Sequence, residues 1–387
     1  MKLSDTGPDA RPCAPEVAAT LRDEVLSSHA YAVPPATGLI KLDAMENPFP
    51  LPAALQDALG QRLAHLAVNR YPDPAHQASL RAALRQHEGL ADGLDVMLGN
   101  GSDELIALLS QAVRGPDGSP GTVLAPEPGF VMYGVSARLN RQNYVGVPLK
   151  ADDFGLDAPA MVTAIREHRP ALVYLAYPNN PTANLFDDEA VAQVVDAVLA
   201  NGHGFVVFDE AYQPFASKSQ RARLGQSPQI LVMRTLSKFG LAGVRLGYLM
   251  GPTEVIAQLD KVRPPYNISV LNLECALFAL EHASEFARQA RLIRDQREQL
   301  CGLLGALPGV RCWPSQANMI LLRVGDSDAQ ATAVHASLRA QGVLVKNISA
   351  AHPLLRGCLR LTVGSPEENI ALVRSLHQAL DDSRQPG

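Results

Sequence analysis

The feature that most constrains the fold is a recurrence of short apolar runs through the first two thirds of the chain. They fall at 95–98, 122–125, 143–147, 171–175, 205–208, 230–233 and 246–250. Each is too short for a helix, and amphipathic helical patterns, including 103–113 and 187–200, lie between several of them. Buried runs of four or five residues separated by helices form βαβ units, which predict an α/β fold around a mostly parallel sheet. Beyond about residue 270 the texture changes. Residues 285–304 carry Phe286, Ala290, Ile293, Leu300 and Leu304 at helical spacing, and strand-like runs at 319–324 and 359–363 flank a helical stretch near 328–341. This predicts a smaller α+β unit, and 387 residues suit about two domains. The expected division is a tail and arm over 1–40, with Pro8, Pro12 and Pro15 marking 1–20 as a mobile tail, then a large domain over 41–268 and a small one over 269–387.

Composition removes several function classes. A chain that is 47% hydrophobic and 19% charged is globular. A net charge of −5 argues against nucleic acid or an anionic membrane as partner. No run approaches the ~18 apolar residues of a membrane span, and the first twenty residues lack the apolar stretch of a signal peptide. Five scattered cysteines without a C-x-x-C pair fit neither a disulfide framework nor a zinc site, so no metal is expected and a reducing cytoplasm is.

Ligands of doubly wound sheets bind beyond the carboxyl ends of the strands, and four such ends deliver unusual polar residues. In VMLGNGSDELIALL, residues 96–109, a strand runs through glycines into a helix start, where free N–H groups suit a phosphate and Ser102 can add its hydroxyl. Ordinary helix capping by Ser102 or Asp103 explains the segment equally well. In LVYLAYPNNPTAN, residues 172–184, the strand ends on Asn179 and Asn180, by itself only a turn signal. In FVVFDEAY, residues 205–212, Asp209 and Glu210 end a buried strand. They can hold a metal, pair with a cationic ligand atom or cap the next helix, though no G-x-x-x-x-G-K-[ST] loop supports a nucleotide site. In RTLSKFGLAGVRLGY, residues 234–248, Lys238 stands among Thr235, Ser237 and three glycines. It is either a surface lysine on a glycine-rich loop or, if buried, an amine that sheds its proton and attacks carbonyls. Together the four segments supply a phosphate site, a carboxylate, donors and an imine-forming lysine, the parts that pyridoxal phosphate chemistry needs.

In this order, GNGSDE, PNNPT, DEAY and SKFGLAGVRLGY, with Arg360 in CLRLTVG, the chain resembles the fold-type I aminotransferases. The segments YAVPPATGLIKLDAMENPFPLP and NRYPDP narrow the resemblance to histidinol-phosphate aminotransferases, from about Tyr31 to Ser375. It implies a large domain with a mostly parallel seven-stranded sheet flanked by helices, plus a smaller α+β domain. It also implies pyridoxal 5'-phosphate held as an imine by Lys238, which then serves as general acid and base. Asp209 would pair with the ring nitrogen, Asn180 and Tyr212 would bond the phenolate oxygen, and Phe130 would stack on the ring. The phosphate would meet the N–H groups of Ser102 and Asp103, the Thr235 or Ser237 hydroxyls and Arg245. Tyr71 would reach the cofactor phosphate of a neighbouring subunit, making a homodimer obligatory. Arg360, helped by Tyr31 and Lys346, would grip the anionic group of glutamate or histidinol phosphate. Departures from the family pattern are Met45 where Asn is frequent, Ala183 where Gly is, Phe130 for Tyr, and Lys346 for Arg, a point charge in place of a fork. The implied reaction moves an amino group between histidinol phosphate and 2-oxoglutarate. Aromatic amino-acid transamination and phosphothreonine decarboxylation are the rivals within the fold type. A nucleotide hydrolase and a non-catalytic cofactor-binding regulator are the rivals outside it.

Overall fold

The computed structural model describes residues 14–28, 30 and 33–384. Seven strands form the main sheet: β1 Leu94–Gly99, β2 Thr122–Glu127, β3 Asn143–Pro148, β4 Leu172–Ala176, β5 Phe205–Asp209, β6 Ile230–Thr235 and β7 Gly247–Pro252. Their spatial order is β1-β7-β6-β5-β4-β2-β3. All neighbours run parallel except β7, which is antiparallel to both β1 and β6. The sheet is therefore mostly parallel, as the apolar runs predict, and each run marks its strand to within a residue or two.

The runs are continuously apolar because both faces of the sheet are covered. Alternate residues point to opposite sides. Val96, Leu98, Val173, Leu175, Val206, Phe208 and Val232 enter one core, with helices α2 Pro74–Glu88, α5 Ala158–His168, α6 Asp188–Ala200 and α8 Val270–Glu281. Met97, Leu172, Tyr174, Val207, Leu231 and Met233 enter the other, against α3 Gly101–Ala112, α4 Met132–Leu139 and α7 Thr253–Leu259. Helix α1, Ala53–Ala64, packs against α8. Helix boundaries follow local chemistry. Asp187 accepts the N–H groups of Glu189 and Ala190 to start α6. Asp73 followed by Pro74 starts α2, and Gly89 at φ 58° ends it.

Past α8, the 23-residue α9 Ala283–Gly305 buries Phe286, Ala290, Ile293, Leu300 and Leu304, the five positions that periodicity selects. A four-stranded antiparallel sheet follows, of β8 Arg311–Cys312, β9 Met319–Arg323, β10 Lys346–Asn347 and β11 Cys358–Thr362, in the order β10-β11-β9-β8. Helices α10 Asp328–Ala340 and α11 Pro366–Arg384 pack against one another beside it. Ile40–Lys41 pairs in parallel with Val343–Leu344, and Leu42 and Met45 join the core built on Ile293, Met319 and Leu361. The segment 42–47 thus ties this sheet to the main one. Within the expected tail, Pro15–Ala18 forms a helical turn without buried residues, with proline at the position where its fixed φ favours helix. Among the described residues no helix is long and apolar enough to cross a membrane.

Candidate active site

The polar strand ends converge because β7 runs backwards. Its first residue, Gly247, lies opposite both Gly99, the last residue of β1, and Thr235, the last of β6. Asp209, the last residue of β5, lies opposite Ala176, the last of β4. A cavity opens over these ends. Ser102, Asp103, Phe130, Asn180, Asp209, Tyr212, Thr235, Ser237, Lys238 and Arg245, singled out in the sequence, all line it.

At one end lies an anion cradle. Helix α3 starts without a side-chain cap on Asn100, so Ser102 and Asp103 sit inside its first turn rather than capping it. Arg245, at φ 54°, turns its guanidinium back to this helix start, 3.3 Å from Ser237 Oγ and 3.5 Å from Asp103 Oδ2. Two glycines make the approach possible. A Cβ on Gly101, at φ 78°, would stand 2.7 Å from Arg245 Nη2, and one on Gly247 would stand 2.7 Å from the Gly101 carbonyl carbon. The Thr235 hydroxyl donates to Leu246 O at 3.0 Å, which sets Thr235 and Ser237 side by side.

At the other end is Asp209, 5% exposed. Tyr133 Oη donates to its Oδ2 at 2.7 Å, and the Ala211 N–H donates to its Oδ1 at 3.1 Å. Burial outweighs these bonds and pushes the carboxyl up to about 6. No ion pair among the described residues reaches it. Lys238, on the irregular turn Ser237–Leu241, donates to Ala44 O at 3.0 Å and sits 5.9 Å from the Tyr212 ring centre. Burial first, then the positive charges of Arg360 and Arg245, pull its amine down to about 8, against the opposing pull of Glu46 and Asp103. Asn180 joins the two halves of the site: its Nδ2 donates to Tyr212 Oη at 3.1 Å, and its Oδ1 accepts from Arg360 Nη1 at 2.8 Å. Arg360 also donates to Asp43 O at 2.9 Å.

This donor set fits pyridoxal 5'-phosphate. A buried carboxylate without an ion-pair partner suits a protonated ring nitrogen. A helix start with hydroxyls and a guanidinium suits a phosphate dianion. Between them lies an amine that sheds its proton near neutrality. Phe130 offers a ring at the cavity wall.

The other sequence-selected residues lie elsewhere. Lys346 is the strand neighbour of Arg360, in register on β10. Tyr71, 77% exposed, is stacked on Tyr266 at 4.4 Å and does not line the cavity of its own chain. Tyr31 lies outside the described residues. Glu210, which the sequence left open as a metal ligand, is spent on protein partners. It accepts from Arg234 Nη2 at 2.7 Å, from Ser219 Oγ at 2.9 Å and from the Gln220 N–H at 2.5 Å. Two groups escaped the sequence reading. Tyr133 reaches Asp209 across 76 residues, and its only sequence signal was helical spacing from Phe130. The backbone carbonyls of Asp43 and Ala44, which receive Arg360 and Lys238, carry no signal at all.

Comparison with known proteins gives the family. The sequence profile of the aminotransferase class I and II family matches residues 37–376. The histidinol-phosphate aminotransferase of Methylibium petroleiphilum is 60% identical over 376 residues, 97% of this chain and 99% of that protein. That of Polaromonas naphthalenivorans is 56% identical, covering 97% and 100%. Among solved structures, the histidinol-phosphate aminotransferase of Sinorhizobium meliloti in complex with pyridoxal-5'-phosphate superimposes with a TM-score of 0.81 at 22% identity, covering 94% of this chain and 98% of that one. The chain belongs to the class I and II aminotransferase family, within its histidinol-phosphate aminotransferase group.

Proposed function

We propose that the protein catalyses reversible amino-group transfer between L-histidinol phosphate and 2-oxoglutarate, giving imidazole-acetol phosphate and L-glutamate, a step of histidine biosynthesis. It works with pyridoxal 5'-phosphate, as a cytoplasmic homodimer. The observation that carries this reading is the pairing, in one cavity, of a buried carboxylate raised to about 6 with an amine lowered to about 8. Bound pyridoxal phosphate supplies an aldehyde that condenses with amines and a ring that accepts electrons from the substrate carbon. The chain's own residues do the rest. Asp209 would keep the ring nitrogen protonated, and Asn180 and Tyr212 would hold the phenolate oxygen. Ser102, Asp103, Thr235, Ser237 and Arg245 would hold the phosphate, and Phe130 would cover the ring face. Lys238, largely neutral above about pH 8, would hold the cofactor through its aldehyde and would serve as the acid and base at the substrate carbon.

Arg360 reads the substrate's anionic group. Its Nη1 bond to Asn180 places the guanidinium beside the phenolate donor, so one fork serves both half-reactions, gripping a carboxylate in one and a phosphate in the other. Lys346 and Tyr31 assist it, and Tyr71 completes the phosphate site of the partner. Transamination of histidinol phosphate is favoured over aromatic transamination and phosphothreonine decarboxylation by relatives that are 51–60% identical over nearly the whole chain. The L-threonine-O-3-phosphate decarboxylase of Porphyromonas gingivalis shares the fold at 19% identity. Steady-state assays of the holoenzyme with histidinol phosphate, phenylalanine and phosphothreonine test the assignment. The expected result is a kcat/KM for histidinol phosphate well above the other two, and a preference for either of those overturns it.

A further inference from the structure

We propose that Tyr133 is the positioning residue of Asp209: its buried phenol fixes the carboxylate and keeps it ionised toward the cofactor's ring nitrogen. The inference rests on the reading of Asp209 given above. Tyr133 stands in the first turn of α4, 1% exposed, and donates to Asp209 Oδ2 at 2.7 Å. With the Ala211 N–H on Oδ1, each carboxylate oxygen has a protein donor, and the plane of the group is fixed. The phenol is itself held. Its ring lies 4.2 Å from that of Tyr174, nearly parallel at 4°, and meets Phe130 edge-on at 5.5 Å.

A phenol that only filled space would not need this orientation, and Tyr174 supplies the contrast. It is equally buried and belongs to the same stack, yet among the described residues its hydroxyl has no hydrogen-bond partner. Burial, then the charge of Asp209, hold the Tyr133 phenol protonated, so it remains a donor at every working pH. The groups acting on Asp209 otherwise oppose ionisation: burial comes first, and Asp103 from α3 and Glu210 from its own strand end add like charge. Tyr212 and Lys238 line the same cavity, where Tyr212 Oη accepts from Asn180 and Lys238 donates to Ala44 O. Of the interactions that favour the charged form, the Tyr133 bond is the largest and the Ala211 N–H bond follows. Removing it leaves the Ala211 N–H to oppose burial and two carboxylates.

The test compares full-length wild type with Tyr133→Phe, each stripped of cofactor and reconstituted either with pyridoxal 5'-phosphate or with the analogue in which carbon replaces the ring nitrogen. Wild type is expected to prefer the natural cofactor. Tyr133→Phe, which keeps the ring stack, should lose about tenfold of that preference, the effect of one unit in the carboxyl's acidity. In the cofactor-free protein, the carboxyl carbon of Asp209 followed by NMR should titrate about one unit higher in the variant. The kcat for histidinol phosphate should fall with KM nearly unchanged. A folded Tyr133→Phe protein with the full preference and an unmoved Asp209 titration overturns the inference. Wild type without any preference overturns the Asp209 reading instead. Should Tyr133→Phe fail to fold, 3-fluorotyrosine at position 133, a stronger donor of the same shape, decides the matter. It must shift the Asp209 titration down, and no shift overturns the inference.

Discussion

Burial shifts both Asp209 and Lys238 toward their neutral forms, and the two respond to pH in opposite directions. A carboxyl raised from 3.8 to about 6 contributes stability below 3.8 and loses it as pH rises through about 6. An amine lowered from 10.5 to about 8 contributes stability above 10.5 and loses it as pH falls through about 8. Between about 6 and 8 the cofactor-free protein therefore carries both penalties, a buried anion and a buried cation. Cofactor binding relieves both. The thermal-midpoint gap between cofactor-bound and cofactor-free protein is expected to be widest in this window and to narrow on either side; scanning calorimetry across pH 5 to 10 checks it. Asp209→Asn should flatten the acid side of that profile and lower kcat by about two orders of magnitude, as loss of a preorganised charge does. Two departures from the family pattern also resolve at this scale. Met45 at φ 53° and Ala183 at φ 62° lie in the left-handed region, where asparagine and glycine sit with less strain. Those are the residues the family pattern has there, so the sequence difference marks a backbone conformation rather than lost chemistry.

The site is made precise by contacts between elements. Arg234 on β6 is the hub: its Nη1 meets Glu88, the last residue of α2, at 2.7 Å, and its Nη2 meets Glu210, just past β5, at 2.7 Å. Tyr248 on β7 closes the network on Glu88 at 2.5 Å. Both carboxylates are buried, so this one cation fixes the relative positions of the strand ends that carry Asp209 and Thr235. Arg234→Met leaves two buried carboxylates uncompensated and should cost about 3–5 kcal/mol of stability, measured by urea unfolding of the cofactor-free protein. Gly101→Ala acts on the cradle. Its Cβ displaces Arg245 Nη2 and its backbone is strained at φ 78°. It is expected to weaken cofactor binding about tenfold, roughly the worth of one charged hydrogen bond, and equilibrium titration with pyridoxal phosphate reads this directly. Elements were the most legible level of the sequence. A strand buried on both faces must be apolar throughout, so the seven runs and the polar residues ending them were visible. That β7 runs antiparallel and brings Gly247 between Gly99 and Thr235 was not, because strand order is set by long-range pairing that leaves no local pattern. The Tyr133 bond and the carbonyls of Asp43 and Ala44 were invisible for the same reason.

At the scale of the whole molecule, the anion cradle is open on one side. Within a single chain the Arg245 side chain is 49% exposed and that of Asp103 45%, a poor setting for a phosphate that must stay bound through turnover. Tyr71, meanwhile, projects 77% exposed from the loop between α1 and α2, its ring stacked on a half-exposed Tyr266. Two adjoining exposed aromatics with polar tips suit a protein interface. Two-fold symmetry would let each chain's Tyr71 close the other's cradle. This makes a quantitative prediction. Lys238→Ala abolishes the chemistry in its own site, and Tyr71→Ala weakens the phosphate site of its partner. When the two variants are mixed, unfolded and refolded together at a cofactor concentration that leaves Tyr71→Ala unsaturated, about half of the dimers are hybrids. If the sites are shared, each hybrid has one site with neither defect, and activity should recover to about a quarter of wild type. If Tyr71 serves its own chain, each site of a hybrid carries one defect, and the mixture should show only the average of its two components.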